Sequence, residues 1–378
     1  MTVDNPFPEE FVNGPDIRSL GDTHPDDSPQ SWWNGQFVTS DIHGSLHIYS
    51  TSIDAAEESL VAVRSKMAEL GIAELNPNGQ HVKPLAGHVL LDHRRVHFGY
   101  VDGISQPDVD WENESPAPGR VDRRHFLLGY DGTIPTAPSF ARTGILFQNC
   151  SYLAFRWLQQ DVPAFEQFLT DNADRVASLF PGATDPRELL AAKLIGRWRS
   201  GVSLVEAPLN DSSADSPNNA FGYAGPDPDG LKCPFSAHAR VTNPRDQKLA
   251  AIVREVPRIL RRGMPYGPEW QPGVNDEADR GLFGLFICGS LERQFQMLTR
   301  WMNVNDFSPV FDADIPLGQD PLFGARGVSA ERPPFRIPVP GGILQIPLPS
   351  KPFVRSRGTA YLLIPSVSTL DRVLAEPS

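Results

Sequence analysis

Cysteine is scarce: three in 378 residues, at Cys150, Cys233 and Cys288, far apart and without a CxxC pair. An odd, scattered set argues against a disulfide framework and a thiolate zinc site, and fits a reducing compartment. Positive charge is also short, with 34 Lys and Arg against 46 Asp and Glu, a formal charge of −12. No basic tract gathers the cations, so neither nucleic acid nor an anionic membrane is expected as a partner. No apolar run approaches the roughly 20 residues that a bilayer-spanning helix needs. The opening MTVDNPFPEEFVNGPD is acidic, with no apolar core and no paired arginines. It reads as lacking an export signal, and a soluble, cytoplasmic protein is expected.

Proline and glycine, by contrast, are plentiful, at 37 and 31, so much of the chain is expected in loops. The length points to two domains or one large one, because single cores stop growing at about 250–300 residues. DIHGSLHIYS (41–50) alternates apolar and polar residues like a half-buried strand. SIDAAEESLVAVRSKMAELGI (52–72) reads as an amphipathic helix, with Asp54, Glu57 and Glu58 early and Gly71 at its stop. HVLLDHRR (88–95) is a second strand candidate. Further on, ILFQNCSYLAFRWL (145–158) is strand-like, and DVPAFEQFLTDNADRVASLF (161–180) is a helix opening on an Asp cap. GLFGLFICGS (281–290), LERQFQMLTRWM (291–302) and GTAYLLIPS (358–366) read as strand, helix and strand. The pattern is α+β, in two units over 1–140 and 141–378, joined near 110–143. The second unit carries a long Gly-, Pro-, Asn- and Asp-rich insertion at 207–235, either an ordered excursion or a mobile loop.

Three segments could carry chemistry. HFGYVDGISQP (97–107) sets Asp102 before Gly103; CPFSAHARVTNPR (233–245) holds His238, Arg240 and Arg245; RILRRGMPYGPEW (258–270) holds Arg261 and Arg262 before a Gly and a Pro-Tyr-Gly turn. A carboxylate, an imidazole and a guanidinium framed by Gly or Pro are the parts of a small catalytic constellation. Taken singly each has a plainer meaning: a turn aspartate, a hydrogen-bonded structural histidine, a solvated arginine pair. His88, His93 and His97 lie close in sequence but lack a carboxylate-rich partner segment, so a metal cluster is not expected there.

Together, and in order, these segments resemble the dye-decolorizing peroxidases, a haem peroxidase family. GYVDG matches that family's GxxDG signature; CPFSAHARVTNPR is similar to the segment bearing the proximal haem histidine, and ILRRGMPYG to the one bearing the distal arginine. KLIGRWRSGVSL (193–204) and RGLFGLFICGSLERQF also resemble family segments, and the likeness runs over about residues 18–325. It implies two ferredoxin-like α+β domains with antiparallel sheets, as in dimeric α+β barrels, and one haem b per chain held mainly by the second. His238 would be the axial ligand to iron, Asp102 the acid–base residue and Arg261 its partner, with Arg262 rejected by position. Asp320 in GQDPLFG, or its competitor Asp306, would accept from the far nitrogen of His238. Arg240 and Arg245 are candidates for the haem propionates or for ordinary surface pairing. Trp198, Trp270 and Trp301 are candidates for electron relays or for core packing.

Each implied role has a physical reason. A carboxylate behind a ligating imidazole fixes its tautomer and raises its basicity. Heterolysis of hydrogen peroxide needs a base to take a proton from one oxygen and return it to the other. A fixed guanidinium keeps that base ionised and offsets charge on the departing oxygen. Using an Asp in this role implies activity best at mildly acidic pH. Glycines at 99 and 103 would let the backbone pass close to a flat macrocycle. The expected activity is reduction of hydrogen peroxide with one-electron oxidation of phenolic or anthraquinone-dye-like donors. The rival readings are a haem-binding or haem-handling protein with little turnover, and a colourless hydrolase using Asp102.

Two departures from the family pattern stand out. Members usually carry a further β-α segment before FPEEFVNGPDIRSLGDT, so the first domain is expected to lack its opening strand, leaving a sheet edge open to association into a homo-oligomer. The Leu-x-Phe pair lining the family's distal side falls on Leu282 and Gly284, and the glycine is expected to enlarge that pocket or leave it less protected from water.

Overall fold

The computed structural model describes residues 7–22, 29–79, 85–88, 90, 95–112, 119–130, 147–212, 218–247, 256–274, 276–304, 317–324 and 332–371. Its centre is a four-stranded antiparallel sheet in the order β4-β5-β3-β8. These strands are β3 (Ser151–Gln160), β4 (Leu260–Tyr266), β5 (Gly281–Cys288) and β8 (Val354–Ile364). β3 is buried almost throughout, as its apolar run YLAF–WL requires of a strand covered on both faces. Its pairing with β8 shifts register between Trp157 and Leu158. On the other side it pairs in unbroken register with β5, setting Trp157 opposite Phe283 and Arg156 opposite Gly284.

The helices follow from their caps. α4 (Val162–Leu179) starts at Asp161, whose carboxylate accepts the Ala164 N–H at 3.1 Å, and it buries Val162, Phe165, Phe168, Leu169 and Val176. α5 (Pro186–Ile195) repeats the device with Asp185 and stops at Gly196 in the left-handed region (φ 96°). These two helices, with Phe98, Tyr100 and Trp198, form one core. The second core lies on the sheet around Trp32, Trp33, Trp157, Phe283 and Phe295. A π-helical turn, Leu291–Gln296, runs directly into α7 (Met297–Val304). A buried ion pair from Arg156 on β3 to Asp22, at 2.5 Å, is joined by Asn303 of α7. The remaining elements are α1 (Glu9–Asn13), α2 (Ile17–Leu20), the β6–β7 hairpin (Phe335–Val339, Gly342–Ile346), which adds Phe335, Ile337 and Ile346 to the first core, and α8 (Val367–Thr369).

Sequence and structure part company at three places. Residues 41–50 are irregular and mostly exposed, not a strand, and among the described residues no partner strand meets their backbone. Most of the 88–95 segment, also expected as a strand, lies outside the described residues; of the rest, Arg95 makes an isolated bridge to Val101. The helix α3 (Ile53–Glu69) forms as expected, capped by Ser52, but it buries none of its residues. Finally, β4 runs through Pro265 to Tyr266, where a turn was expected after Gly263. An edge strand tolerates a proline, and β4 lies at the sheet edge. Before residue 147 the only paired strands among the described residues are β1 (Val109–Asp110) and β2 (Val121–Asp122). The described parts of the 207–235 insertion are irregular but tied down: the Asp227 carboxylate accepts the Lys232 and Cys233 N–H groups, both at 2.9 Å.

Candidate active site

His238 opens α6 (His238–Thr242), directly after the buried Ala237. Its Nδ1 lies 2.7 Å from Asp320 Oδ2. Asp320 is fully buried, and its other oxygen accepts the Leu322 and Phe323 N–H groups at 2.8 and 3.3 Å. The Phe323 ring stacks beside the imidazole, centroids 5.7 Å apart. One nitrogen of the ring is therefore fixed, while Nε2 has no partner among the described residues and the side chain is 25% exposed. Of the two carboxylates considered for this contact, Asp320 makes it; Asp306 lies outside the described residues.

Asp102 stands exposed on a loop that is held from several sides. Tyr100 donates to the Ala191 carbonyl on α5 at 2.8 Å, and the Val101 N–H donates to the Arg199 carbonyl at 3.1 Å. Gln106 binds the backbone of Arg261 in both directions, accepting from its N–H at 3.1 Å and donating to its carbonyl at 2.6 Å. A side-chain amide thus continues the edge of β4 and clips the Asp102 loop to it. Arg261 Nη2 reaches the Ser105 carbonyl at 3.4 Å. Burial lowers the Arg261 pKa from its usual value, and the negative charge of Asp102 works the other way. Arg262, one residue on, points to the opposite face of the strand and is exposed.

The two glycines flanking this loop differ. A Cβ on Gly99 (φ 83°) would stand 2.6 Å from Arg199 Nη1, so this glycine makes room for an arginine and not for a macrocycle. Arg199 also donates to Phe98 and to Glu166 and Glu188, tying the loop onto α4 and α5. Gly103 (φ 80°) faces open space.

The arginines of the HARVTNPR segment also separate. Arg240 is completely buried: Nη1 pairs with Asp227 at 2.8 Å, Nη2 binds the Asp227 carbonyl, Nε binds Gln247, and the plane lies between the Tyr223 and Phe235 rings. It is spent on the interior, neither at the surface nor free for a propionate. Arg245, in the left-handed region (φ 58°), donates to Asn219 and Phe221, yet its buried Nε has no partner. Arg197 converges on the same spot, with Nη2 2.9 Å from Asn219 Oδ1 and 3.4 Å from Ser105 Oγ. Neither Arg197 nor Arg245 donates to a carboxylate among the described residues, and both lie over the Phe221 ring. Burial first, and the Arg245 charge second, lower the Arg197 pKa. Arg197 was missed at the sequence level, although the GRW segment that carries it had been singled out.

On β5, Leu282 leans toward Gly263, whose Cβ position is 3.3 Å from Leu282 Cδ1. The space at Gly284 is not open as expected: the Phe286 ring covers it. Trp198 and Trp301 are buried, and Trp270 is half-buried with its N–H on the Val274 carbonyl. His97 is buried and hydrogen-bonded at 2.7 Å to the Tyr266 carbonyl; His93 lies outside the described residues. No metal-binding cluster of His, Cys, Asp and Glu occurs among the described residues. All three cysteines are buried and none forms a disulfide, with the Cys233 thiol pushed up to about 11 by desolvation.

This donor set fits a haem. An imidazole has one nitrogen fixed and the other available, and two guanidiniums share a neutral acceptor with a buried N–H left over, as an anionic carboxylate would complete.

The comparisons with known proteins decide the family. Over 387 residues the chain is 32% identical to Peroxidase 2 of Mycetinis scorodonius, covering 95% of this chain and 70% of that one. It is also 32% identical to a dye-decolorizing peroxidase of Mycena epipterygia, covering 97% and 72%. The chain belongs to the dye-decolorizing peroxidase family. Among solved structures, an ancestral D-type dye-decolorizing peroxidase superposes with a TM-score of 0.75 at 30% identity, covering 96% of this chain and 79% of that one. A single-substitution variant of the Pleurotus ostreatus dye-decolorizing peroxidase superposes with a TM-score of 0.77 at 26% identity, covering 98% and 81%. No family model matches the sequence. As a dye-decolorizing peroxidase it is an oxidoreductase acting on peroxide, and membership implies a haem peroxidase. No helix among the described residues is long and apolar enough to cross a membrane.

Proposed function

We propose that this dye-decolorizing peroxidase holds one haem b per chain through His238 and uses Asp102 and Arg261 to cleave hydrogen peroxide. The observation that carries the reading is the buried Asp320 at 2.7 Å from His238 Nδ1, which leaves Nε2 as the ligating nitrogen. Bound there, haem iron supplies the redox chemistry. The chain supplies the rest. Asp102 accepts the peroxide proton on a carboxylate oxygen and returns it to the departing oxygen; Arg261, clipped to the same loop by Gln106, offsets the charge that develops. Arg197 and Arg245 hold the propionates, using the donors that Asn219 alone does not satisfy. Leu282 contributes an apolar wall beside Gly263.

The electron donors are phenolic or anthraquinone-dye-like aromatics. A related dye-decolorizing peroxidase, 27% identical with a TM-score of 0.70, has been solved as a complex with 2,6-dimethoxyphenol. The division into two units, with the haem held mainly by residues 141–378, belongs to the same reading. The second unit is ferredoxin-like: β3, α4, β4, β5, α7 and β8 follow in a β-α-β-β-α-β order across a single antiparallel sheet.

The test is an absorption spectrum followed by two substitutions. Purified protein supplied with haem should show a strong Soret band, and His238→Ala should lose most of it. Asp102→Asn should keep the band but react with peroxide about a hundredfold more slowly in stopped flow. Full peroxide reactivity in Asp102→Asn would refute the acid–base assignment.

A further inference from the structure

β5 brings three residues to the Arg261 side of the sheet. The register pairs Arg261 with Phe286 and Gly263 with Gly284, so Phe286, Gly284 and Leu282 share the face from which Arg261 projects. Gly284 is buried, whereas Leu282 and Phe286 remain half-exposed. The reason lies in the Phe286 ring. A Cβ built on Gly284 would stand 2.5 Å from Phe286 Cε2 and 2.9 Å from Cζ, so the ring edge occupies the volume that a side chain at 284 would fill. One neighbour steadies the ring: Phe295 of the π-helical turn, centroids 5.4 Å apart and tilted by 39°.

Resting on the peroxidase reading above, we propose that Phe286 is the specificity-determining residue on the Arg261 side. Its ring, laid over Gly284, screens the haem there and sets the largest ligand that can enter. A side chain at 284 would be anchored at the screen itself. Here the ring is rooted two residues away, over a glycine that puts no side chain beneath it. Turning about its own χ1 would vacate a volume as large as the ring. The position therefore admits peroxide and small ligands while excluding larger aromatic ones, and removing the ring opens that side to them.

Two iron-binding probes of different size test this, imidazole and 4-phenylimidazole, each titrated into haem-loaded protein and followed by the Soret shift. In Phe286→Ala, 4-phenylimidazole should bind roughly tenfold tighter, while imidazole affinity changes by less than about threefold. Phe286→Leu, which keeps apolar cover against Phe295, should shift the ratio in the same direction by a smaller factor. Gly284→Phe added to Phe286→Ala should restore the wild-type ratio. A size ratio unchanged in both single variants, or both probes tightening equally, overturns the role of Phe286 and leaves the peroxidase reading standing. A wild-type protein that takes up no haem overturns the peroxidase reading and this proposal with it.

Discussion

Asp320→Asn is the sharpest perturbation of this site, because it changes one atom and the structure dictates the consequence. In the wild type one carboxylate oxygen accepts from two backbone N–H groups, at Leu322 and Phe323, and the other accepts from His238 Nδ1. An asparagine has a single oxygen for these two duties. If the oxygen stays on the backbone donors, its NH2 faces the imidazole and forces the tautomer protonated at Nε2, which cannot bind iron. If the amide flips, two N–H groups meet an NH2 in a fully buried site, at a cost of about 1–3 kcal/mol. Haem binding must bear one cost or the other, on the order of 1.4–2.8 kcal/mol, which is a loss of about ten- to hundredfold in haem retention. The assay is haem transfer to excess apomyoglobin, followed at the Soret band. The variant should release haem at least about tenfold faster while the haem-free proteins melt within a few degrees of each other. A variant that keeps haem as long as the wild type would show that Asp320 does not set the state of His238, and the reasoning would fail.

Three further outcomes concern the scaffold that carries the site. Gly99→Ala must adopt a positive φ and displace the Arg199 guanidinium; it should cost about 2 kcal/mol in a urea titration, and a loss below half of that would remove the packing argument. Asp227→Ala leaves Arg240 buried without its carboxylate and should cost about 3–5 kcal/mol by the same measurement; an unchanged midpoint would mean that the pair is not structural. Lys193 is fully buried, and desolvation lowers its pKa from 10.5 to about 8. Between those values the unfolded chain binds the extra proton, so folding stability rises with pH across that window. Compared at pH 7.5 and pH 10, the stability difference between wild type and Lys193→Met should move toward the wild type by up to about 3 kcal/mol; a constant difference would contradict the assignment.

Much of the scaffold was legible because its signals are local. The Asp161 cap with the apolar spacing after it places α4, and the apolar run in SYLAFRWLQQ places β3. The helix at 53–69 was equally legible, yet periodicity says nothing of what lies against it, and it buries no residue. The 41–50 segment shows the converse: alternation alone makes no strand, and no described strand neighbours this segment. β4 was misread at Pro265 because a proline argues for a turn unless the strand lies at an edge, and edges are a property of the finished sheet. The motifs named Asp102, His238 and Arg261 as candidates. They did not reveal Arg197, since its meaning depends on Arg245 and Asn219 meeting it from distant segments.

The amino-acid order by itself determined the α+β pattern, the ordered motifs and the family they resemble, since caps, periodicities and short signatures are set by near neighbours. Tertiary structure decided which polar group meets which. His238 finds Asp320 82 positions away, Arg240 is consumed by Asp227, Arg199 fills the space beside Gly99, and Phe286 covers Gly284. The reason is that donors and acceptors brought together by folding compete for one another in a desolvated interior, and one arrangement satisfies the most of them.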